Sequence, residues 1–407
     1  MARSSLVNRS KPLRCFTASP PRQREDPPPP PPVHPPHFKA IMKHSASLFR
    51  IRILTTLTTV FAALSSTDVL LAQDMTTTPV GFVTITCKEN SDTHVAIPLA
   101  RSATFRGTVV SVSGQTVGVS GGTFADNQFQ YAPGAQPEHY YVQFTSGQAV
   151  GRYADILANS ADALDTDLPT ADAALIQAGD SIVIRPHWTL GTLFPASEEG
   201  VGFIASTNNL QSGRRTEILI PDTAGAGINK APVATWFYNG FWRKVGAVGV
   251  NGNDTILPAG SSVIVRGNNY ADDTFLIVAA DVLEHAQAVT LRTAAGGQND
   301  NPVGPPLPVG VALQSLGLVG ESGAFVVSTN NLTSGRGDEL LVYDNTVALK
   351  NKTPSATYFY NGFWRKVGET TTNQNETIIP AASALVIRKK AQTPAGQTAW
   401  LVPSVIE

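Results

Sequence analysis

Thr235 to Gly246 reads TWFYNGFWRKVG, and Thr357 to Gly368 reads TYFYNGFWRKVG, 122 residues later. Asn-Gly flanked by alternating aromatic and β-branched residues is the strongest short-range signal for a two-residue β-hairpin, because both central positions need φ > 0. With Tyr238 facing Phe241 across that turn, Phe237 pairs with Trp242 and Trp236 with Arg243. Side chains alternate along a strand, so Ala234, Trp236, Tyr238, Phe241, Arg243 and Val245 share one face. This reading turns that face to the core and sets Arg243 over Trp236, a cation–π contact of about 1 kcal/mol. Phe237, Trp242 and Lys244 fall on the other face, as do Phe359, Trp364 and Lys366 in the second copy.

Two readings of that second face compete. A flat pair of rings beside a lysine suits stacking on a sugar or peptide, since aromatics give large contact area at low entropic cost. Cross-strand aromatic pairs are equally an ordinary way to hold a hairpin together against neighbouring structure. The ligand-binding reading names Phe237, Trp242, Lys244, Phe359, Trp364 and Lys366.

The dodecamer is the best-preserved part of a larger duplication. Ser206–Gly246 aligns with Ser328–Gly368 without gaps, with 27 identities in 41 positions. The register continues from DTILPAGSSVIVR (Asp254–Arg266) to ETIIPAASALVIR (Glu376–Arg388). A repeat of this length is a structural unit built twice. Backward extension matches THVAIPLAR (Thr93–Arg101) to AQAVTLR (Ala286–Arg292). From there copy one takes 102 residues to reach Phe203 and copy two takes 33 to reach Phe325, an insertion of 69. The inserted stretch, roughly 105–185, consists of short alternating segments separated by Gly, Ser and Asn, enough for a small five- or six-stranded barrel. Short runs such as EILIPD, SSVIVR and TFLIVAA make the rest all β. Ala171–Gly179 is the one helical candidate, and without a βα alternation a parallel-sheet fold is disfavoured.

The expected architecture is therefore all-β, with two homologous sandwich- or barrel-like units in tandem and the first interrupted by a small barrel. Residues 73–104 and 186–270 form unit one, 105–185 the insertion and 271–407 unit two. Ahead of them, residues 42–72 read as a signal peptide: Lys43, His44, Arg50 and Arg52, then an apolar stretch from Ile53 to Leu64, then small and polar residues to Ala72. That apolar run is short of the roughly 20 residues a spanning helix needs, so no integral span is expected after cleavage. Residues 1–41, with Pro27–Pro32, read as a disordered extension or as a misassigned start ahead of Met42.

The formal charge of -1 conceals an asymmetry. From Gln73 onward 20 Lys and Arg face 28 Asp and Glu, about -8 in all, which leaves no basic footprint for nucleic acid. That region keeps one cysteine, Cys87 in GFVTITC, so an intrachain disulfide is excluded there and stability must come from packing or assembly.

Sites of chemistry are sparse. His94, His139, His187 and His285 lie in no nucleophile or zinc motif, and GESG (Gly320–Gly323) lacks the strand–Ser–helix setting of a nucleophile elbow. Asp162, Asp165, Asp167 and Asp172 offer carboxylates for calcium, although Asp is also a default turn residue. Arg336-Gly337-Asp338 spells an integrin tripeptide, but copy one has Arg214-Arg215-Thr216 there, so the repeat does not require it. Arg214 and Glu217 recur as Arg336 and Glu339, as a loop-closing ion pair would. No catalytic or metal residue is assigned and an enzyme is not expected.

PVGFVTIT (Pro79–Thr86), WTLGTLFP (Trp188–Pro195), TEILIPD (Thr216–Asp222), both copies of YNGFWRKVG, and ILPAGSSVIVR (Ile256–Arg266) carry a resemblance. By these motifs the chain resembles an uncharacterised family of exported, β-rich bacterial proteins found mainly in the Verrucomicrobia group. The resemblance implies export, a two-copy architecture and a start at Met42, and it assigns no site. The expectation is an exported, non-enzymatic structural or adhesive protein of the envelope or extracellular matrix, in the periplasm, on the cell surface or outside. Its expected partners are other copies of itself or surface glycans; the alternative is a glycan-binding module using the hairpin aromatics.

Overall fold

The structure, a computed structural model, describes residues 78–320 and 323–406. The signal-peptide and N-terminal extension readings lie outside the described residues, as do Glu321 and Ser322 of the GESG stretch.

Copy one begins with a strand whose alternation is plain in VGFVTITC (Val80–Cys87): Val83, Ile85 and Cys87 turn inward while Phe82, Thr84 and Thr86 face out. It pairs antiparallel with Thr274–Asp281 over eight positions, from Val80 opposite Asp281 to Cys87 opposite Thr274. A six-stranded antiparallel sheet completes the copy. Its order is Ala247–Asn251, Trp242–Lys244, Ala234–Tyr238, Thr216–Ile220, Ser262–Gly267 and Asp92–Ala96. Ribbon and sheet share one core, in which Val83, Ile85 and Val278 meet Val95, Ile218, Trp236, Trp242 and Val263.

Copy two repeats this plan. The ribbon is Gln287–Arg292 with Gln397–Val402. The sheet runs Asn299–Val303, Leu385–Lys389, Glu339–Val342, Ala356–Tyr360 and Trp364–Lys366. Its core is separate, built on Val289, Leu291, Leu340, Trp364, Ile387 and Trp400. In each copy a two-residue strand pair precedes a helical turn. Trp188–Thr189 pairs with Ile256–Leu257 ahead of Leu190–Leu193, and Val311–Ala312 pairs with Ile378–Ile379 ahead of Leu313–Leu316.

The insertion closes into a six-stranded barrel. Its strands, in order around the barrel, are Phe105–Ser113, Thr116–Ser120, Ala163–Thr166, Tyr153–Asn159, Tyr140–Phe144 and Ser181–Pro186. A third core fills it, with Val109, Val117, Phe129, Val142, Phe144 and Leu164. The helical candidate shortens to one turn, Thr170–Ala173. The all-β class, the two sheet-bearing copies and the small closed barrel are thus what the sequence led us to expect.

Two boundaries differ. Thr274–Asp281, expected in unit two, pairs with Val80–Cys87 and closes copy one. The backward alignment also shifts. Asp92 sits opposite Arg266 and Asp300 opposite Arg388, its repeat equivalent. The counterpart of Asp92–Ala96 is therefore Asn299–Val303, and Ala286–Arg292 instead matches the Val80–Cys87 strand. Short alternating strands look alike in sequence, and only the strand each pairs with tells them apart. On the corrected frame 91 residues separate Ala96 from Trp188 and 7 separate Val303 from Val311, so the insertion is 84 residues rather than 69.

Candidate functional site

The hairpin register is one residue off the expected one. Tyr238 faces Trp242, Phe237 faces Arg243 and Trp236 faces Lys244, so three residues, Asn239, Gly240 and Phe241, form the loop. Gly240 supplies φ +78°, and the Asn239 amide donates to the Phe241 carbonyl at 3.0 Å. Phe241 belongs to the loop because Arg243 claims it: the guanidinium lies 3.6 Å over the Phe241 ring while its Nε donates to the Asn239 carbonyl at 2.8 Å. Copy two repeats this with Arg365 and Phe363, again at 3.6 Å. The expected stacking of Arg243 on Trp236 is replaced by this loop contact.

A one-residue shift moves side chains to the opposite face. Phe237 and Trp242 therefore lie on opposite sides of the sheet and form no shared platform. Trp242 is 0% exposed, packed against Phe194, Phe203 and Tyr238, and its indole N–H donates to the Phe194 carbonyl at 3.2 Å. Trp364 is 2% exposed, against Phe325 and Tyr360. Phe237 and Phe359 are equally covered, each beneath the guanidinium of Arg214 or Arg336 at 5.0 and 5.4 Å. Those arginines pair with Glu217 and Glu339 at 3.4 and 3.0 Å, as the repeat suggested. Of the six residues named for ligand binding only Lys244 is well exposed; Lys366, half-buried, pairs with Glu369 at 2.8 Å. No ring among the six presents a face to solvent.

The other residues weighed in the sequence make contacts within the fold. Asp165 accepts from the Thr116 hydroxyl, Asp167 from the Asp155 amide, and Asp172 pairs with Arg152. Among the described residues no three His, Cys, Asp or Glu side chains converge as a metal site requires, Asp162 included. In the Arg-Gly-Asp tripeptide Asp338 is fully buried and paired with Lys389. Cys87 is free and buried, and desolvation pushes its thiol up to about 12. Such a thiol is inert.

Two features stand out instead. The first is the outer face of the copy-one ribbon. Val80 and Phe82 (74% and 67% exposed) share it with Phe275 and Ile277 (43% and 42%), Phe82 lying diagonal to Ile277. At the equivalent positions copy two carries Ala286, Ala288, Gln397 and Ala399. Among the described residues Val80–Cys87 pairs with no strand other than Thr274–Asp281, which leaves its outer edge open there. The equivalent strand of copy two is engaged by the barrel, where the Ala288 amide donates to the Gly151 carbonyl at 2.9 Å.

The second feature is the junction of the two copies. The loop after Ile220 in copy one crosses to copy two, and its repeat equivalent after Val342 crosses back. Asn351 donates its amide to Asp92 at 2.7 Å, and Asn229 donates to Asp300 at 2.8 Å. Both asparagines sit at φ near +50°, a conformation that few residues other than Gly, Asn and Asp adopt cheaply. Leu349 accepts from the Asp92 amide and Gly227, its equivalent, from the Asp300 amide. A cleft of about 360 Å³ lies between the copies, lined by His94, Lys230, Arg266, Tyr343 and Lys352 among others.

Neither feature came from the sequence reading. The ribbon face left a signal in the alternation of Val80, Phe82, Phe275 and Ile277, but alternation does not say which side is wet. The junction left one in Asn-Lys-x-Pro, kept at Asn229–Pro232 and Asn351–Pro354 inside loops that otherwise diverge.

Among the described residues no helix is long and apolar enough to cross a membrane. Comparison with protein-family models, curated proteins and solved structures finds no match to the chain.

Proposed function

We propose that the protein is an exported, non-enzymatic structural or adhesive component of the cell envelope or extracellular matrix, which associates with further copies of itself through the Val80–Cys87 edge. Membership of the exported β-rich family that its motifs resemble is part of this reading. The observation that carries it is the pairing of an open eight-residue strand edge with the exposed Val80, Phe82, Phe275 and Ile277 face. Open edges with apolar faces template strand addition, and proteins that remain monomeric blunt them with charge, proline or bulges. None of the eight residues is charged or proline. Antiparallel pairing of two such edges is self-complementary, as a two-fold dimer demands. Duplication provides the internal control, because copy two keeps the ribbon but replaces the outward Val, Phe and Ile side chains with small or polar ones.

The glycan-binding alternative was built on hairpin rings that are buried, so the hairpin lends it no surface. Sedimentation velocity of the full chain tests the proposal. Association that rises with concentration, and is abolished by Phe82→Lys with the melting temperature unchanged, is the expected result. A monomer at every concentration, or association indifferent to Phe82→Lys, overturns it.

A further inference from the structure

Lys230 and Lys352 are repeat equivalents that line the same cleft from opposite copies. Their loops read AGAGINKAPVAT (Ala224–Thr235) and TVALKNKTPSAT (Thr346–Thr357), and before the strand resumes they share only Ala226, Asn229, Lys230 and Pro232 with their counterparts. The asparagines are explained by their φ and by the amides they carry across the junction. The lysines fasten their own loops, but at no common point. Lys230 donates to the Gly225 carbonyl at 2.7 Å and Lys352 to the Asp344 carbonyl at 2.8 Å, and those acceptors are not equivalent positions.

The neighbouring carboxylates are already engaged. Asp92 takes two bonds from Arg266, and Asp300 takes two from Arg388, besides the amides of Asn351 and Asn229. Asp222 folds back on the Ala224 and Gly225 amides, and Asp344 on the Thr346 amide and hydroxyl. Both lysines therefore line one cleft, each ammonium bonded to a backbone carbonyl and to no carboxylate. Partial burial lowers the pKa of both below the ordinary lysine value, more than the nearby carboxylates (Asp222 and Asp300 for Lys230, Asp344 and Asp92 for Lys352) raise it. The walls also carry Asp92, Asp300 and Arg266, so the three cations of the lining outnumber its two carboxylates, and Tyr343 stacks on His94 at 3.9 Å. A cleft of this size suits a small molecule held by a few placed charges.

We propose that the cleft between the repeat copies binds a small organic dianion, one acidic group held by Lys230 and the other by Lys352. Two sources supply that chemistry, a free aliphatic dicarboxylate or a pair of uronate units in an acidic saccharide. The site is independent of self-association at the Val80–Cys87 edge.

Calorimetric titration of the full chain with succinate, with di-galacturonate and with neutral succinamide tests the proposal. One of the two dianions is expected to bind one per chain, to raise the melting temperature, and to weaken as salt rises. Binding of succinate alone assigns a free dicarboxylate, and binding of di-galacturonate a saccharide. Lys230→Gln and Lys352→Gln, which keep a donor on a side chain one atom shorter but remove the charge, should each weaken binding about tenfold, and together about a hundredfold, as lost charge-assisted bonds do. Three outcomes overturn the proposal: neither dianion binds at millimolar concentration, succinamide binds as well as succinate, or the folded double variant binds like the parent. The first two need only the unmodified chain, so a variant that fails to fold leaves the test intact.

Discussion

Arg266 holds Asp92 through two parallel hydrogen bonds of 2.7 Å, and the same carboxylate takes the amide of Asn351 from the other repeat copy. Arg388 and Asp300 repeat the arrangement, with Asn229 crossing the opposite way. Each copy thus fastens a loop of the other, and the exchange is reciprocal. Bidentate Arg–carboxylate pairs fix direction as well as distance, so the two junction carboxylates set how the copies face one another.

Removing either carboxylate should loosen the junction from one side. Asp92 is 2% exposed, and Asp92→Ala strands the Arg266 guanidinium and the Asn351 amide together. We expect a loss of about 3 kcal/mol, in line with breaking a largely buried pair. Asp300→Ala should cost a similar amount. Urea denaturation measures both, and a loss under about 0.5 kcal/mol, the scale of an ordinary surface change, contradicts the lock.

Trp242→Ala and Trp364→Ala should each destabilise by about 3–5 kcal/mol, the cost of emptying a large aromatic site in a packed core. Trp242 adds an indole N–H bond to the Phe194 carbonyl. Thermal melts decide between this and the ligand reading. A melting temperature that stays put while glycan retention falls restores the platform.

The hairpin shows where legibility stopped. TWFYNGFWRKVG declared a turn, an alternation and a duplication, and each is present. What the dipeptide rule missed was the claim of Arg243 on Phe241, a contact two residues apart that lengthens the loop from two residues to three. Period-two geometry then moved Trp242 to the core side and left Phe237 on the other. The barrel was legible because closed barrels are built from short alternating segments with turns between them. The junction was not, since Asp92 and Asp300 stand 208 residues apart in segments whose sequences share little. Their equivalence exists only through the arginines opposite them.

His94 makes folding sensitive to acid. Burial holds its pKa down to about 4, opposed by Asp92 and reinforced by Lys352. The unfolded chain titrates near 6.5 and so binds the proton first as pH falls. Stability is full above about 6.5 and is lost progressively toward 4, by up to ~3 kcal/mol. His94→Phe, which keeps a ring against Tyr343, should flatten the pH dependence of the urea midpoint between 7 and 4.5. An unchanged slope places the sensitivity elsewhere. Copy two has Pro302 at this position and contributes no matching titration.

Asp338 and Lys389 are a buried ion pair that copy one does without, having Thr216 and Gly267 in their places. The Thr216 hydroxyl accepts the Ile204 amide at 2.9 Å as Asp338 accepts the equivalent Val326 amide at 2.7 Å. The amide therefore needs an acceptor but not a charge. Asp338→Thr alone should cost about 3–5 kcal/mol, because it leaves the Lys389 ammonium buried without its partner. Adding Lys389→Met removes that charge at similar volume, and the double variant should return to within about 1 kcal/mol of the parent, a coupling of at least ~2 kcal/mol between neighbours. Denaturant unfolding of the four proteins in the cycle measures it. Additive losses mean that Asp338 and Lys389 contribute independently, which contradicts the stranded-lysine account.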